Sequence, residues 1–79
     1  MISALNGKIL FKNGKFLVLD VGGVGYKIFS HSETLNKVPK IGETLIIWTH
    51  LHVSDDALNL YGFLSKEEMD FFETLISVS

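Results

Sequence analysis

Thr44-Leu45-Ile46-Ile47-Trp48-Thr49-His50-Leu51-His52-Val53 is the longest β-forming run in the chain, and the residues on either side of it decide the fold. β-Branched and aromatic side chains dominate it, as a pleated, half-buried surface requires. Ser54-Asp55-Asp56 follows as a turn, because short polar side chains bond their own backbone. Ala57 to Phe63 then pairs back to complete a hairpin. Upstream, Ile2 to Lys12 carries Ile2, Ala4, Ile9 and Phe11, with Gly7 inside, and reads as a strand bent or bulged at the glycine. Asn13-Gly14 is a turn dipeptide whose two residues both tolerate positive φ. Lys15 to Val21 is a second strand, dense enough in apolar groups to be buried on both faces at its middle. Gly22-Gly23 turns the chain into a third strand, Val24 to Phe29.

Two segments break this β pattern. In Ser30 to Val38, Ser30 or Ser32 is placed to cap a short helical turn, and Leu35 and Val38 share one helical face. Pro39 and Gly42 close it. Near the end, Ser65-Lys66-Glu67-Glu68 fits a capping box, with Ser65 accepting from an amide and Glu68 reaching back. Acidic residues in the first turn suit the helix dipole. The helix is expected to bury Met69, Phe72, Leu75 and Ile76 as one stripe, widened by Phe71. With no C-cap glycine before Ser79, the ending reads as a cut. The expected class is mainly β: a small barrel of the OB type, with five to six short strands, a helical insert and a C-terminal helix. Residues 1–64 are expected to form the barrel domain and 65–79 the start of a helix leading onward.

Length and composition fit that reading. A chain of 79 residues buries only about 60–65% of its unfolded surface, which leaves no room for a second core. With 47% hydrophobic residues, 20% charged and one proline, it is not a disordered tail. The absence of cysteine removes disulfides, thiolate metal sites and cysteine nucleophiles, and fits a reducing compartment. Apolar runs such as Thr44 to Thr49 are too short to span a bilayer, and Asn6-Gly7-Lys8 interrupts any signal-peptide core. A cytoplasmic domain with no membrane partner is expected. The net charge of −2 divides unevenly. Met1 to Gly42 has six lysines against Asp20 and Glu33, whereas Glu43 to Ser79 has Lys66 against seven carboxylates. There is no arginine, so composition alone argues against a self-sufficient nucleic-acid binder.

Few residues offer chemistry. Val21-Gly22-Gly23-Val24-Gly25-Tyr26 resembles a phosphate-binding loop, but such a loop must open a helix, and these glycines lead into strand. His50 and His52 share a strand face beside Asp55 and Asp56, yet a zinc site needs three or four ligands in a tetrahedron. Partly exposed strand histidines, with no metal and no cofactor, are expected. No serine or threonine has an evident base partner, so an enzyme is not expected. Asp55-Asp56 reads either as a solvated turn or as a protruding negative point at the hairpin tip. Two unit charges 4 Å apart repel by about 1 kcal/mol even in bulk water, so this point would separate phosphates rather than clamp them.

Taken in order, Met1-Ile2 with Leu5 and Gly7, Val21-Gly22-Gly23-Val24-Gly25-Tyr26, Thr49-His50, Asp55-Asp56-Ala57 and Leu60-Tyr61-Gly62-Phe63 closely resemble the amino-terminal domain of the bacterial RuvA family. Members are Holliday-junction-binding subunits of the RuvAB branch-migration complex, acting in homologous recombination, DNA repair and the SOS response to DNA damage. The resemblance covers essentially the whole chain. It implies an OB-type barrel and a non-catalytic role as the centre of a homotetramer holding four-way junction DNA. Asp55 and Asp56 correspond to the family's acidic pin at the crossover. The resemblance also implies that residues 65–79 lead into a helix-hairpin-helix domain and that a further domain recruits the RuvB motor, both absent from this chain. Family members often have a basic residue before the acidic pair, where this chain has Ser54. Which of Lys8, Lys12, Lys15, Lys27, Lys37 and Lys40 would face DNA stays open.

Two other readings compete. An OB-type protein-interaction module with no DNA contact would suit the acidic second half. A single-strand binder needs aromatic platforms among basic groups. Tyr26, Phe29, Trp48 and Tyr61 supply rings, but strand phase would bury some, and the acidic hairpin opposes a continuous basic groove.

Overall fold

The computed structural model describes residues 1–77; Val78 and Ser79, and with them the reading of the chain end as a cut, lie outside the described residues. Five strands, β1 (Ala4–Lys12), β2 (Phe16–Val21), β3 (Val24–Phe29), β4 (Thr44–Ser54) and β5 (Ala57–Phe63), close into a barrel in the order β1-β2-β3-β5-β4. Helix α1 (Ser32–Lys37) lies between β3 and β4, and α2 (Lys66–Ser77) follows β5. This is the OB-type architecture, with a helix between the third and fourth strands. Closure depends on one short parallel contact, in which Ile28 and Phe29 of β3 meet Leu60 and Tyr61 of β5. The Ser30 hydroxyl donates to the Gly62 carbonyl at 2.6 Å just beyond that seam.

The core follows the period-two pattern of the strands. Ile9, Leu17, Leu19, Ile28 and Ile47 are fully enclosed, joined by Leu45 and Leu60, while Leu35 and Val38 from the α1 segment pack against them. Gly22 and Gly23 both have positive φ, 61° and 90°, the two-residue geometry that matches strand twist in a tight hairpin. The Asp20 carboxylate accepts from the Gly23 amide at 2.8 Å and fixes this turn.

Several local expectations are corrected. The bulge in β1 lies at Leu10, between Ile9 and Phe11, not at Gly7. It reverses the phase of the strand, so Ile9 points into the barrel while Phe11 is turned onto the outer surface. At Gly7 the chain instead passes close against the Asp20 carbonyl, where a Cβ would collide. The Asn13-Gly14 turn uses no positive φ; the Asn13 side chain holds it by accepting from the Lys15 and Phe16 amides at 2.8 and 2.9 Å. β2 is fully buried on one face only, since Val18 on the other is partly exposed. Neither Ser30 nor Ser32 caps α1. Ser30 is committed to the barrel seam, and the His31 ring accepts from the Glu33 amide at 3.3 Å.

α2 departs furthest from its expected packing. Ser65 accepts from the Glu68 amide at 3.1 Å as expected, but the Glu68 carboxylate meets the Ser65 hydroxyl rather than its amide. Of the predicted stripe, Met69 is buried and Phe72 partly so, whereas Leu75 is 58% and Phe71 66% exposed, and Ile76 is exposed as well. The helix rests on β4 and β5 through Met69, Phe72 and Glu73, while Phe71 and the side chains from Thr74 to Ser77 are exposed. No described helix is long and apolar enough to cross a membrane.

Candidate nucleic-acid interface

The hairpin of β4 and β5 is longer than the barrel it helps to close. On one side β4 is paired with β1 only as far as Trp48; on the other, β5 is paired with β3 only at Leu60 and Tyr61. From His52 to Asn59 the two strands are hydrogen-bonded to each other alone and project as a two-stranded ribbon. Alternation along β4 places Leu45, Ile47, Thr49 and Leu51 toward the core. Val53 continues that phase, as does Leu58 opposite it, but the core has ended, and they are 65% and 70% exposed.

Asp55 and Asp56 form the turn at the end of this ribbon, and both are exposed. Neither has positive φ, so this is not the tight primed turn of Gly22-Gly23. The Ser54 hydroxyl is shared between the Asp56 carboxylate at 3.4 Å and the Ala57 carbonyl at 3.3 Å. No lysine is within ion-pair distance of either carboxylate among the described residues. The tip is therefore a paired negative charge, held clear of the barrel and uncompensated by its neighbours.

The two histidines read as a possible metal pair go to different partners. His50 Nδ1 lies 2.8 Å from Glu73 Oε2 and its ring stands edge-on to Phe72, which ties β4 to α2. His52 is exposed and faces Tyr61 edge-on. Among the described residues, no group of three or more His, Cys, Asp or Glu is arranged to hold a metal ion. Thr49, beside His50, is 1% exposed; its hydroxyl donates to the Ile2 carbonyl at 2.7 Å while its amide donates to Ser3. That threonine fastens the amino terminus across the barrel, a role that alternation could have flagged, since it is the polar residue at an inward position of β4.

Sequence reasoning also missed a row of rings on the outer surface. Phe11, Phe16, Phe29, Tyr61 and Phe72 follow one another with centroids 5.8 to 6.2 Å apart. Phe11 was not foreseen there because only the bulge at Leu10 turns it outward. Of the rings noted from sequence, Tyr26 packs against the core, while Phe29 and Tyr61 are in the row.

Fold and site together define a small OB-type barrel that carries an acid-tipped ribbon. The model of the RuvA N-terminal domain family matches residues 1–62, and the chain belongs to that family. It is 42% identical over its whole length to the Holliday junction branch migration complex subunit RuvA of Acetivibrio thermocellus, of which it covers 39%. It is 46% identical to the RuvA subunit of Pseudomonas fluorescens, again over the whole chain and 39% of that protein. The chain thus spans about two-fifths of the length of these curated relatives.

Proposed function

We propose that this chain is the junction-centre domain of a non-catalytic Holliday-junction-binding subunit, with Asp55 and Asp56 acting as a charged separator at the crossover. The observation that carries this is the ribbon from His52 to Asn59, which leaves the barrel and ends in two exposed carboxylates. A rigid negative point repels phosphate in every strand that approaches it, and the repulsion is long-ranged enough to act across about 8 Å at physiological salt. Continuous duplex cannot avoid that point, whereas a four-way junction offers an opening at its centre. The reading assigns the backbone grip to basic groups outside the tip, and most of it to a helix-hairpin-helix domain joined through α2. A homotetramer supplies the fourfold symmetry that four arms require. A RuvB-type motor, engaged through a further domain, and a cytoplasmic setting complete it.

The test is a chimera in which residues 1–79 replace the matching part of the Acetivibrio thermocellus relative, assayed for four-way junction and for duplex at one fixed salt concentration. Asp55→Asn with Asp56→Asn is expected to lower the junction-to-duplex preference by about fivefold to tenfold, as duplex binding gains from the lost repulsion. An unchanged preference rejects the separator. The exposed Phe71 and Leu75 of α2 favour a second reading, a protein-interaction module that never meets DNA. A chimera that binds no junction at all would select it. Sedimentation equilibrium on the chain itself tests assembly: a tetramer puts the contact surface within these residues, and a monomer at every concentration removes it from them.

A further inference from the structure

A groove between the end of β5, α2 and the segment around His31 has no part in the separator reading. β5 runs from the ribbon tip at Ala57 to the groove at Phe63, so tip and groove lie at opposite ends of one strand. The groove encloses about 600 Å³, within the range of about 300–1,000 Å³ in which proteins hold ligands. Tyr61 and Phe63 stand on the same face of β5, and Phe72 of α2 packs against both, with centroids 5.8 and 5.0 Å away. All three rings are half-buried and line the groove. The polar groups at its border are donors. The Ser30 amide donates to the Lys15 carbonyl at 3.2 Å, which brings the exposed Lys15 beside His31. His31 Nδ1 accepts from the Glu33 amide at 3.3 Å, so the proton of the neutral ring is on Nε2. Among the described residues no carboxylate lines the groove. Glu73, next to Phe72, is held by His50 at 2.8 Å, and Glu33 is exposed on α1.

We propose that this groove docks an acidic peptide segment of a partner protein. One aromatic side chain of the peptide enters among Tyr61, Phe63 and Phe72, and a neighbouring carboxylate meets Lys15 and His31. Charge complementarity selects this occupant. A border of donors offers partners to a carboxylate and none to an ammonium or guanidinium. The border belongs to the half of the chain from Met1 to Gly42, which holds six lysines against two carboxylates. One of those carboxylates, Asp20, is occupied at the Gly23 turn. The floor selects an aromatic anchor, since its rings already meet at the tilted separations of about 4.5–7 Å that aromatic pairs prefer. Burial of that anchor supplies most of the hold, because an exposed lysine–carboxylate pair contributes little. A nucleic-acid strand is less well matched, as it needs cations spread along its backbone, whereas Lys15 and His31 stand together.

The test is an amide chemical-shift titration of the 79-residue chain with the peptide acetyl-Asp-Phe-Asp-amide, carried to about 5 mM so that a Kd near 1 mM is read. Saturable shifts are expected at the amides of Lys15, His31, Phe63 and Phe72. Acetyl-Asp-Ala-Asp-amide is expected to give none, and acetyl-Asn-Phe-Asn-amide to bind about threefold to fivefold more weakly. Lys15→Glu should weaken the first peptide by a similar factor; the side chain is exposed, and the spectrum of the variant shows whether it is folded. No saturable shift with the first peptide, equal binding of either altered peptide, or undiminished binding by Lys15→Glu would each overturn the proposal. So would tighter binding of thymidylyl-thymidine at the same amides, which would assign the groove to nucleic acid. Shifts confined to Phe71 and Leu75 would overturn it too, by moving the docking to the exposed side of α2. Asp55→Asn with Asp56→Asn is expected to leave peptide binding unchanged, so failure here does not touch the separator reading. Loss of binding in that variant would place the peptide on the ribbon and overturn the proposal.

Discussion

At the residue scale, Gly62 is the glycine that side chains pack most closely. It lies inside β5 where the seam to β3 closes, and a Cβ there would come within 2.6 Å of both Ile28 Cγ2 and Ile47 Cδ1. Both side chains are fully buried and have nowhere to retreat. Gly62→Ala is therefore expected to cost about 1–3 kcal/mol by overpacking, read as a lowered denaturation midpoint. A neutral effect would mean that the seam can open by a few tenths of an ångström. Thr49 is the complementary case, tight through polarity instead of volume. Thr49→Val keeps the shape but leaves the Ile2 carbonyl without its hydroxyl donor, at an expected cost of about 1–3 kcal/mol. Urea unfolding of the two variants would show whether they share a mechanism: Thr49→Ser, which keeps the hydroxyl donor, should recover part of the loss seen in the threonine variant.

At the scale of elements, strands were legible because their signals are local. Gly22-Gly23 and the Thr44 to Val53 run gave a turn and a strand with nearly the observed bounds, since backbone freedom and period-two alternation need no knowledge of neighbours. What failed depended on contacts across the fold. Ser30 looks like a cap until the Gly62 carbonyl claims its hydroxyl, and Phe11 looks like core until a bulge turns it outward. The α2 stripe is a true helical pattern, but the barrel buries Met69 and part of Phe72 and leaves Leu75 and Ile76 exposed. The acidic pair was legible as a tip, whereas the length of ribbon beneath it follows from where β1 and β3 stop pairing, which no local pattern encodes.

The thin contact of α2 gives it a stability of its own. Glu73 reaches His50 with a side chain 38% exposed, so screening limits the pair to a modest contribution. Glu73→Ala is expected to speed amide exchange in α2 by a fewfold, corresponding to at most about 1 kcal/mol, with the barrel amides unaffected. At the start of the helix, the Asp70 carboxylate, hydrogen-bonded to Lys66 at 2.8 Å, raises the lysine above its ordinary 10.5. A raised folded-state value means that the contribution is complete below the unfolded value and is lost as pH climbs through the folded one. The difference in Tm between the native chain and Asp70→Asn is therefore expected to be constant from neutral pH to about 10 and to shrink above it. It should be small, because both side chains are exposed.

At the scale of the whole molecule, the core lies in the barrel and the ribbon lies outside it. The barrel closes below the ribbon, with its last contacts at Trp48 on β1 and Leu60 on β3. Nothing from His52 to Asn59 enters the core, and Val53 and Leu58 keep core phase with no core to fill. An opposed pair, Leu51 and Leu60, marks the root of the ribbon. Replacing residues 52–59 by Asn-Gly joins that pair through a two-residue turn of the favoured hairpin type. The shortened chain is expected to fold with Tm within about 5 °C of the original, a change of about 1 kcal/mol for a domain this size. Carried into the chimera, the same deletion should abolish the junction preference that the two asparagine substitutions only reduce, because it removes the obstruction together with its charge. If the deletion and the charge substitutions had equal effects, repulsion alone would be at work and the ribbon would serve only to hold the two carboxylates at a distance. A chain that failed to fold without its ribbon would place residues 52–59 within the cooperative unit of the barrel, contrary to the pairing that leaves them outside it.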